Sequence, residues 1–261
     1  MLPEQADRYQ SLRMRLVLEM KAALAKGDKT LIGVVLNVLL AWPDCAFRDE
    51  AVKHPRTGDL LAFAPAVFGE LEPAPKELEL IRLCRGQKAQ GRKVLVYSIY
   101  SGTRDTTQRI KNLLQGEGPS TSLRTGLKAA VLRSNVETSK REDWILEQVD
   151  RGIDVLVCNP ELVKTGLDLL DFPAIVFLQS GFNVYTVQQA SRRSWRIGQK
   201  QPVEVFYLGY AETAQIDCLR LRRKKIAVSQ STSGDMPDTG LDVLNQDGDS
   251  LEVELAKRLI A

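Results

Sequence analysis

Between residues 91 and 210 the chain alternates short, almost wholly apolar β-rich runs with amphipathic helical stretches, which leaves few folds open. KVLVYSIY precedes a helix-forming stretch at residues 106–114, and AAVL precedes another at 140–149. DVLVC and AIVFL follow, then a predicted helix around residues 185–193, and VEVFYL closes the series. A strand apolar on both sides needs cover on both sides. The pattern therefore predicts an α/β fold, a parallel sheet sandwiched by helices.

The flanks read differently. Residues 5–26 place Leu12, Leu16, Met20 and Ala23 on one helical face. A second helical run covers residues 31–40, and Trp42-Pro43 should end it. A Pro- and Gly-rich loop over residues 44–75 and a helix over 76–90 complete a helical N-terminal region. Downstream, a helix over residues 213–228 leads into a Ser/Gly/Asp/Pro linker and a short helix near residues 251–259. The expected divisions are thus 1–90, 91–228 and 229–261, with no internal repeat.

Composition removes several function classes. His54 is the sole histidine, so a His-based metal site or a Ser-His-Asp triad has almost nothing to build on. Cys45, Cys84, Cys158 and Cys218 lie far apart without a C-x-x-C pair and read as buried thiols of a cytoplasmic protein. The longest apolar stretch, residues 31–42, is broken by Gly33 and Asn37 and is too short to span a bilayer. The opening residues lack the basic-then-apolar order of a signal peptide. No membrane partner is expected. Residues 229–261 carry a net charge of −5, so within the chain's net +3 the preceding 228 residues carry about +8. Such a surplus suits a polyanion partner, and it equally suits a solvated basic surface.

In parallel α/β folds, function gathers on the loops at the carboxyl ends of the strands. After KVLVYSIY comes Ser101-Gly102-Thr103-Arg104-Asp105-Thr106, a glycine and hydroxyls at a predicted helix N-terminus. Free backbone N–H groups there would favour an anion, or Ser101 or Thr103 simply caps the helix. After DVLVC, Lys164-Thr165-Gly166 could hold a phosphate and Asp168 a hydroxyl, or the segment is a turn with one solvated lysine. After AIVFL, Gln189, Arg193 and Arg196 recur at four- and three-residue spacing on a predicted helix, which puts them on one face. Phosphoryl transfer spreads negative charge over the γ-phosphate oxygens, and two permanently charged planar forks would stabilise it. A basic helix face in water fits the spacing as well.

The segment QQASRRSWRIGQ resembles motif VI of the Swi/Snf-type superfamily-two helicases and translocases, Q-A-x-x-R-x-x-R-I-G-Q. Gln189, Ala190, Arg193, Arg196, Ile197, Gly198 and Gln199 all match in register, a far more specific signal than a lone G-x-G-x-x-G. Phe182-Asn183 stands where that family has Trp-Asn, and Gly166-Leu167-Asp168-Leu169 at the spacing of its motif V Gly-x-Asn-Leu. Residues 93–97 resemble the motif IV strand, and Arg141 the arginine opening the helix before motif V. Thr213 and Lys224-Lys225 resemble landmarks of the family's bracing helix, and Gln5, Tyr9, Leu36 and Pro43 those connecting the two motor lobes. The resemblance covers most of residues 1–228 and is strongest over 93–210.

The resemblance implies a RecA-like C-terminal lobe with a helical N-terminal region and a C-terminal bracing helix. It implies catalytic roles for Arg193 and Arg196, and nucleotide contacts for Gln189, Gly166 and Asp168. Lys164, Thr165, Ser101, Thr103 and Arg104 become the nucleic-acid candidates. There are departures. Motif IV reads Tyr97-Ser98-Ile99-Tyr100 in place of aromatic-Ser-Gln, and motif V lacks the usual glycine pair. Asp168 replaces Asn, as in the Gly-Leu-Asp of other superfamily-two helicases, where the aspartate reaches the nucleotide sugar. With these departures the resemblance implies a divergent branch, expected to be prokaryotic or carried on a mobile element.

No G-x-x-x-x-G-K-[ST] occurs in the sequence. Gly27-Asp28-Lys29-Thr30 lacks the Gly-Lys step, and Asp49-Glu50-Ala51-Val52 imitates a DExx box without an apolar strand before it. ATP and Mg2+ should therefore be held mainly by a separate first RecA-like lobe carrying the P-loop, in cis or in trans. Two readings follow: the motor lobe of an ATP-driven translocase on duplex DNA, or a non-catalytic RecA-like nucleic-acid-binding or regulatory module. Retention of both motif VI arginines favours the first.

Overall fold

The computed structural model describes every residue except 101, 118–124, 164–165, 180–188, 191–192, 234–250 and 261, with backbone alone for residues 224–233. The chain divides into two compact units. Residues 70–208 form one, and residues 1–69 with 209–261 form the other.

The first of these units is built on a five-stranded, wholly parallel sheet. Its strands are β3 (Val94–Tyr97), β4 (Ala129–Leu132), β5 (Val155–Cys158), β6 (Ala174–Phe177) and β7 (Glu204–Tyr207), in the order β4-β5-β3-β6-β7. Side chains alternate across it. Leu95, Tyr97, Leu156, Cys158, Ile175 and Phe177 face one way and pack with Ile145 of α5 (Arg141–Asp150), with Phe172 and with Ala190. Val94, Val96, Val155, Val157, Ala174 and Val176 face the other way. They meet Leu80, Ile81 and Cys84 of α3 (Pro75–Ala89), and Ile110, Leu113 and Leu114 of α4 (Thr107–Gln115). Every residue of β3, β5 and β6 is buried. Each fully buried Val, Leu or Ile contributes about 1.5–3 kcal/mol relative to exposure, so the apolar runs themselves drive this sandwich. The α/β, RecA-like architecture expected from the sequence is the architecture observed.

The second unit joins α1 (Pro3–Ala25), α2 (Thr30–Cys45), the antiparallel hairpin of β1 (Glu50–Lys53) and β2 (Leu60–Ala64), α6 (Ala214–Ser233) and α7 (Leu251–Ile260). Three side chains hold its ends together. Gln5 Nε2 donates to the carbonyl of Pro43 (2.9 Å), and Tyr9 stacks on Trp42 at 6.3 Å while its hydroxyl accepts from the Ala214 N–H (2.9 Å). Gln215 donates to the Leu40 carbonyl (2.8 Å) and to Asp44 (2.9 Å).

Two sequence expectations are corrected here. The second helix runs through Pro43 to Cys45, because Gln5 and Gln215 cap carbonyls of its last turns. The expected loop over residues 44–75 contains the β1–β2 hairpin, closed by His54 N–H to the Asp59 carbonyl (2.8 Å). The compact units part at 69/70 and 208/209. The reason is packing: α3 belongs to the sheet through Leu80, Ile81 and Cys84, and the start of α6 bonds to α1 and α2. Among the described residues no helix is long and apolar enough to cross a membrane.

Candidate nucleotide and nucleic-acid site

The connection after β3 runs past β5 to β4, whereas the connection after β6 runs outward to β7. Neighbouring strands whose connections diverge leave a crevice at their carboxyl ends, the usual ligand position of such sheets. The candidate residues all follow strands at this edge.

The motif VI segment is partly described. Gln189 and Ala190 are helical, and Gln189 is half-buried. The Ala190 carbonyl accepts from the hydroxyl of Tyr97 at 3.1 Å and from the Arg193 N–H at 3.3 Å. Burial raises the pKa of Tyr97 well above its ordinary value, with Cys158 adding to the rise and Arg193 opposing it, so the phenol stays protonated as a donor. Arg193 and Arg196 do not lie on one helix face with Gln189, as the spacing had suggested. Residues 193–198 form turns and bends. Gly198 takes φ +103°, which suits glycine, and Gln199 donates to the carbonyls of Ser194 and Leu170, both at 2.9 Å, closing the turn.

The two arginines are thereby placed in different surroundings. Arg193 is buried, and its carbonyl accepts from the Leu169 N–H (3.0 Å), tying motif VI to motif V. Arg196 is half-exposed and forms an ion pair with Asp168. Trp195 and Ile197 beside it are both exposed. Gly166, at φ +77°, lies two residues before Asp168, and among the described residues nothing lies within 4 Å of where a Cβ would sit. The structure thus brings Gly166, Asp168, Arg193 and Arg196 together. Arg141, singled out by its position, donates to the Leu162 carbonyl (2.9 Å) and braces the chain ahead of Gly166.

Lys164, Thr165 and Ser101 lie outside the described residues. Thr103 is exposed and Arg104 half-buried, in a loop ahead of α4. That helix begins at Thr107 with Thr106 at its N-cap position, so Thr103 does not occupy the cap. Asp105 instead accepts from the N–H (2.8 Å) and hydroxyl (2.6 Å) of Thr107. Sequence reasoning also missed Ser98, Thr106 and Gln179, buried polar side chains where β3 and β6 end. For Ser98 alone, a polar residue directly after an all-apolar strand was the available signal. Burial pushes the Cys158 thiol far up, which makes it an inert core group. Among the described residues no His, Cys, Asp and Glu side chains gather as metal ligands would.

Residues 75–198 match the model of the helicase conserved C-terminal domain. The chain is 29% identical over 171 residues to the SNF2 domain-containing protein CLASSY 4 of Arabidopsis thaliana, covering 62% of this chain and 15% of that protein. It is 24% identical over 234 residues to the chromodomain-helicase-DNA-binding protein 1 of Homo sapiens, covering 85% and 12%. In fold it matches the C-terminal part of the Fun30 ATPase domain with TM-score 0.63 at 15% identity, over 100% of this chain and 95% of that one. It matches the Sulfolobus solfataricus SWI2/SNF2 ATPase core in complex with dsDNA equally, with TM-score 0.63 at 18% identity, over 99% and 47%. Residues 75–198 thus carry a match to the helicase conserved C-terminal domain on a RecA-like fold, and the relatives that the chain resembles include SNF2-type proteins. The chain spans only 12% to 15% of the length of the two curated relatives named.

Proposed function

We propose that this chain is the C-terminal motor lobe of an ATP-dependent translocase on duplex DNA, and that it completes an ATPase site only with a P-loop-bearing first lobe, in cis or in trans. The observation that carries the proposal is Arg196, half-exposed on the motif VI turn and paired with the motif V aspartate. ATP with Mg2+ supplies the phosphoanhydride to be cleaved, held mainly by the first lobe. This chain contributes the arginine fork that stabilises charge developing on the transferred group. Arg193, buried and bonded through its carbonyl to motif V, holds that turn in place. Gln189, Gly166 and Asp168 line the same region as nucleotide contacts. Lys164, Thr165, Ser101, Thr103 and Arg104 are proposed to meet the DNA backbone, and the Sulfolobus relative, solved with dsDNA, supports duplex as the partner. The cytoplasm is its proposed setting, in keeping with four buried cysteines that form no disulfide.

The test is complementation. The purified chain alone should show no DNA-stimulated ATP hydrolysis, and adding a P-loop lobe of a Swi/Snf-type motor should create it. Robust turnover by the chain alone, lost in Arg196→Ala, would overturn the half-motor reading. Duplex binding without any gain of turnover in the pair would favour the non-catalytic module.

A further inference from the structure

Three polar side chains are buried together past the carboxyl ends of β3 and β6: Ser98 (0% exposed), Thr106 (1%) and Gln179 (4%). Ser98 Oγ donates to Gln179 Oε1 at 2.8 Å, and Gln179 Nε2 donates to Thr106 Oγ1 at 3.1 Å. Ser98 Oγ and Thr106 Oγ1 lie 3.0 Å apart. A hydroxyl has one proton, and that of Ser98 is already given to Gln179, so Thr106 must donate to Ser98. The three side chains therefore close a ring in which each donates to the next. Gln179 Oε1 has a second lone pair, and the backbone N–H of Tyr100 donates to it at 3.2 Å.

We infer that Gln179 is the positioning residue for Tyr100 and for residues 102–106, fixing the strand-end platform from which Thr103 and Arg104 are presented to DNA. The inference rests on the proposed reading that this loop meets duplex DNA. Gln179 holds both ends of the loop at once, Tyr100 through its carbonyl oxygen and Thr106 through its amide nitrogen. Neighbouring strands reinforce the grip. Asn159, after β5, donates to the Ile99 carbonyl (3.2 Å), and Arg133, after β4, pairs with Asp105 (3.3 Å).

The ring also explains why glutamine is required. The position needs an acceptor and a donor on one planar group, at a reach that Asn lacks by one methylene. Glu would offer no proton to Thr106. The hydroxyls would then both donate to the carboxylate and leave two lone pairs facing each other at 3.0 Å.

The test measures affinity of the full chain for a mixed-sequence DNA duplex across a salt series, with folding followed by thermal melts. The variants are Arg104→Ala, Gln179→Met, Thr106→Val, Thr106→Ser and the Gln179→Met/Arg104→Ala pair. Thr106→Val serves if Gln179→Met fails to fold, since Thr106 makes no side-chain cap bond to α4. Gln179→Met and Thr106→Val should weaken binding as much as Arg104→Ala and lower the log–log salt slope by about one unit. Thr106→Ser, which keeps the ring, should bind as the native chain does. The double variant should bind no more weakly than Arg104→Ala alone, because both changes remove the same contact. If Arg104→Ala weakens binding while Gln179→Met and Thr106→Val do not, or if the double effect is additive, Gln179 has no such role. If Arg104→Ala itself binds normally, the DNA reading of the loop is what fails.

Discussion

Asp168 and Arg196 form an ion pair that joins the motif V turn to the motif VI turn across 28 positions of sequence, with side chains 49% and 42% exposed. The carboxylate stands where the Swi/Snf pattern has a neutral asparagine. Its charge gives the guanidinium a partner in the lobe by itself.

Because both groups are well exposed, the pair should matter little to folding. Surface pairs contribute about 0–1 kcal/mol. Asp168→Asn should leave the urea midpoint nearly unchanged, and a loss above about 2 kcal/mol would contradict this placement. In a reconstituted pair with a P-loop lobe, a sugar-binding Asp168 should discriminate ATP from 2′-deoxy-ATP and lose that discrimination in Asp168→Asn. Equal discrimination in both proteins would remove the sugar contact and leave Asp168 as a partner for the arginine.

A buried pair should behave in the opposite way. Arg109 on α4 bonds Glu77 on α3 through two nitrogens, at 2.8 and 2.9 Å, and also donates to the Glu72 carbonyl at 2.6 Å. Their side chains are 5% and 11% exposed. Removing one partner of such a pair strands the other charge and costs about 3–5 kcal/mol. Glu77→Ala also removes the acceptor of the Ala74 N–H at the start of α3. Denaturant titration of Glu77→Ala should show a loss of that size, and a loss below about 1 kcal/mol would mean that the clamp is not formed.

Tyr9 makes stability depend on pH at the alkaline end. Burial raises its pKa to about 12 from an ordinary 10.0, opposed by the Ala214 N–H bond. A group with a raised folded value stabilises fully below its unfolded value and loses that contribution as pH rises. The helical unit should therefore lose of order 2 kcal/mol between about pH 10 and pH 12 through this residue. Tyr9→Phe should remove that part of the pH dependence while costing stability at pH 7, because the Ala214 N–H loses its acceptor. Unfolding curves that keep the same pH 10–12 dependence in Tyr9→Phe would assign it to other groups.

What could be read before the structure follows from how far apart the interacting residues are. VLVY, VLVC and AIVF declare themselves because each is apolar at successive positions, and the alternation with helices then admits one sheet type. The β1–β2 hairpin did not, since EAVK and LLAFA are short and rich in weak strand formers. Helix α2 passed its proline because the compensating donors, Gln5 and Gln215, lie far off in sequence. Spacing together with the motif VI resemblance singled out Arg193 and Arg196 as candidates, but their local form depends on Gly198 and on Gln199 reaching Leu170, a contact across 29 positions. The ring of Ser98, Thr106 and Gln179 spans 81 positions and has no periodicity by which it could be found.

The most direct measurement concerns Arg196 in the reconstituted pair. Lys keeps the charge and loses the planar fork, so it should not replace Arg196 at a developing phosphoryl charge. An arginine finger contributes about 10³–10⁵ in turnover, roughly 4–7 kcal/mol of transition-state stabilisation. DNA-stimulated ATP hydrolysis and duplex affinity should be measured side by side for the native chain and Arg196→Lys. Hydrolysis should fall by about 10³ or more while affinity stays near native. A fall of less than about tenfold would contradict the assignment of Arg196 as the finger.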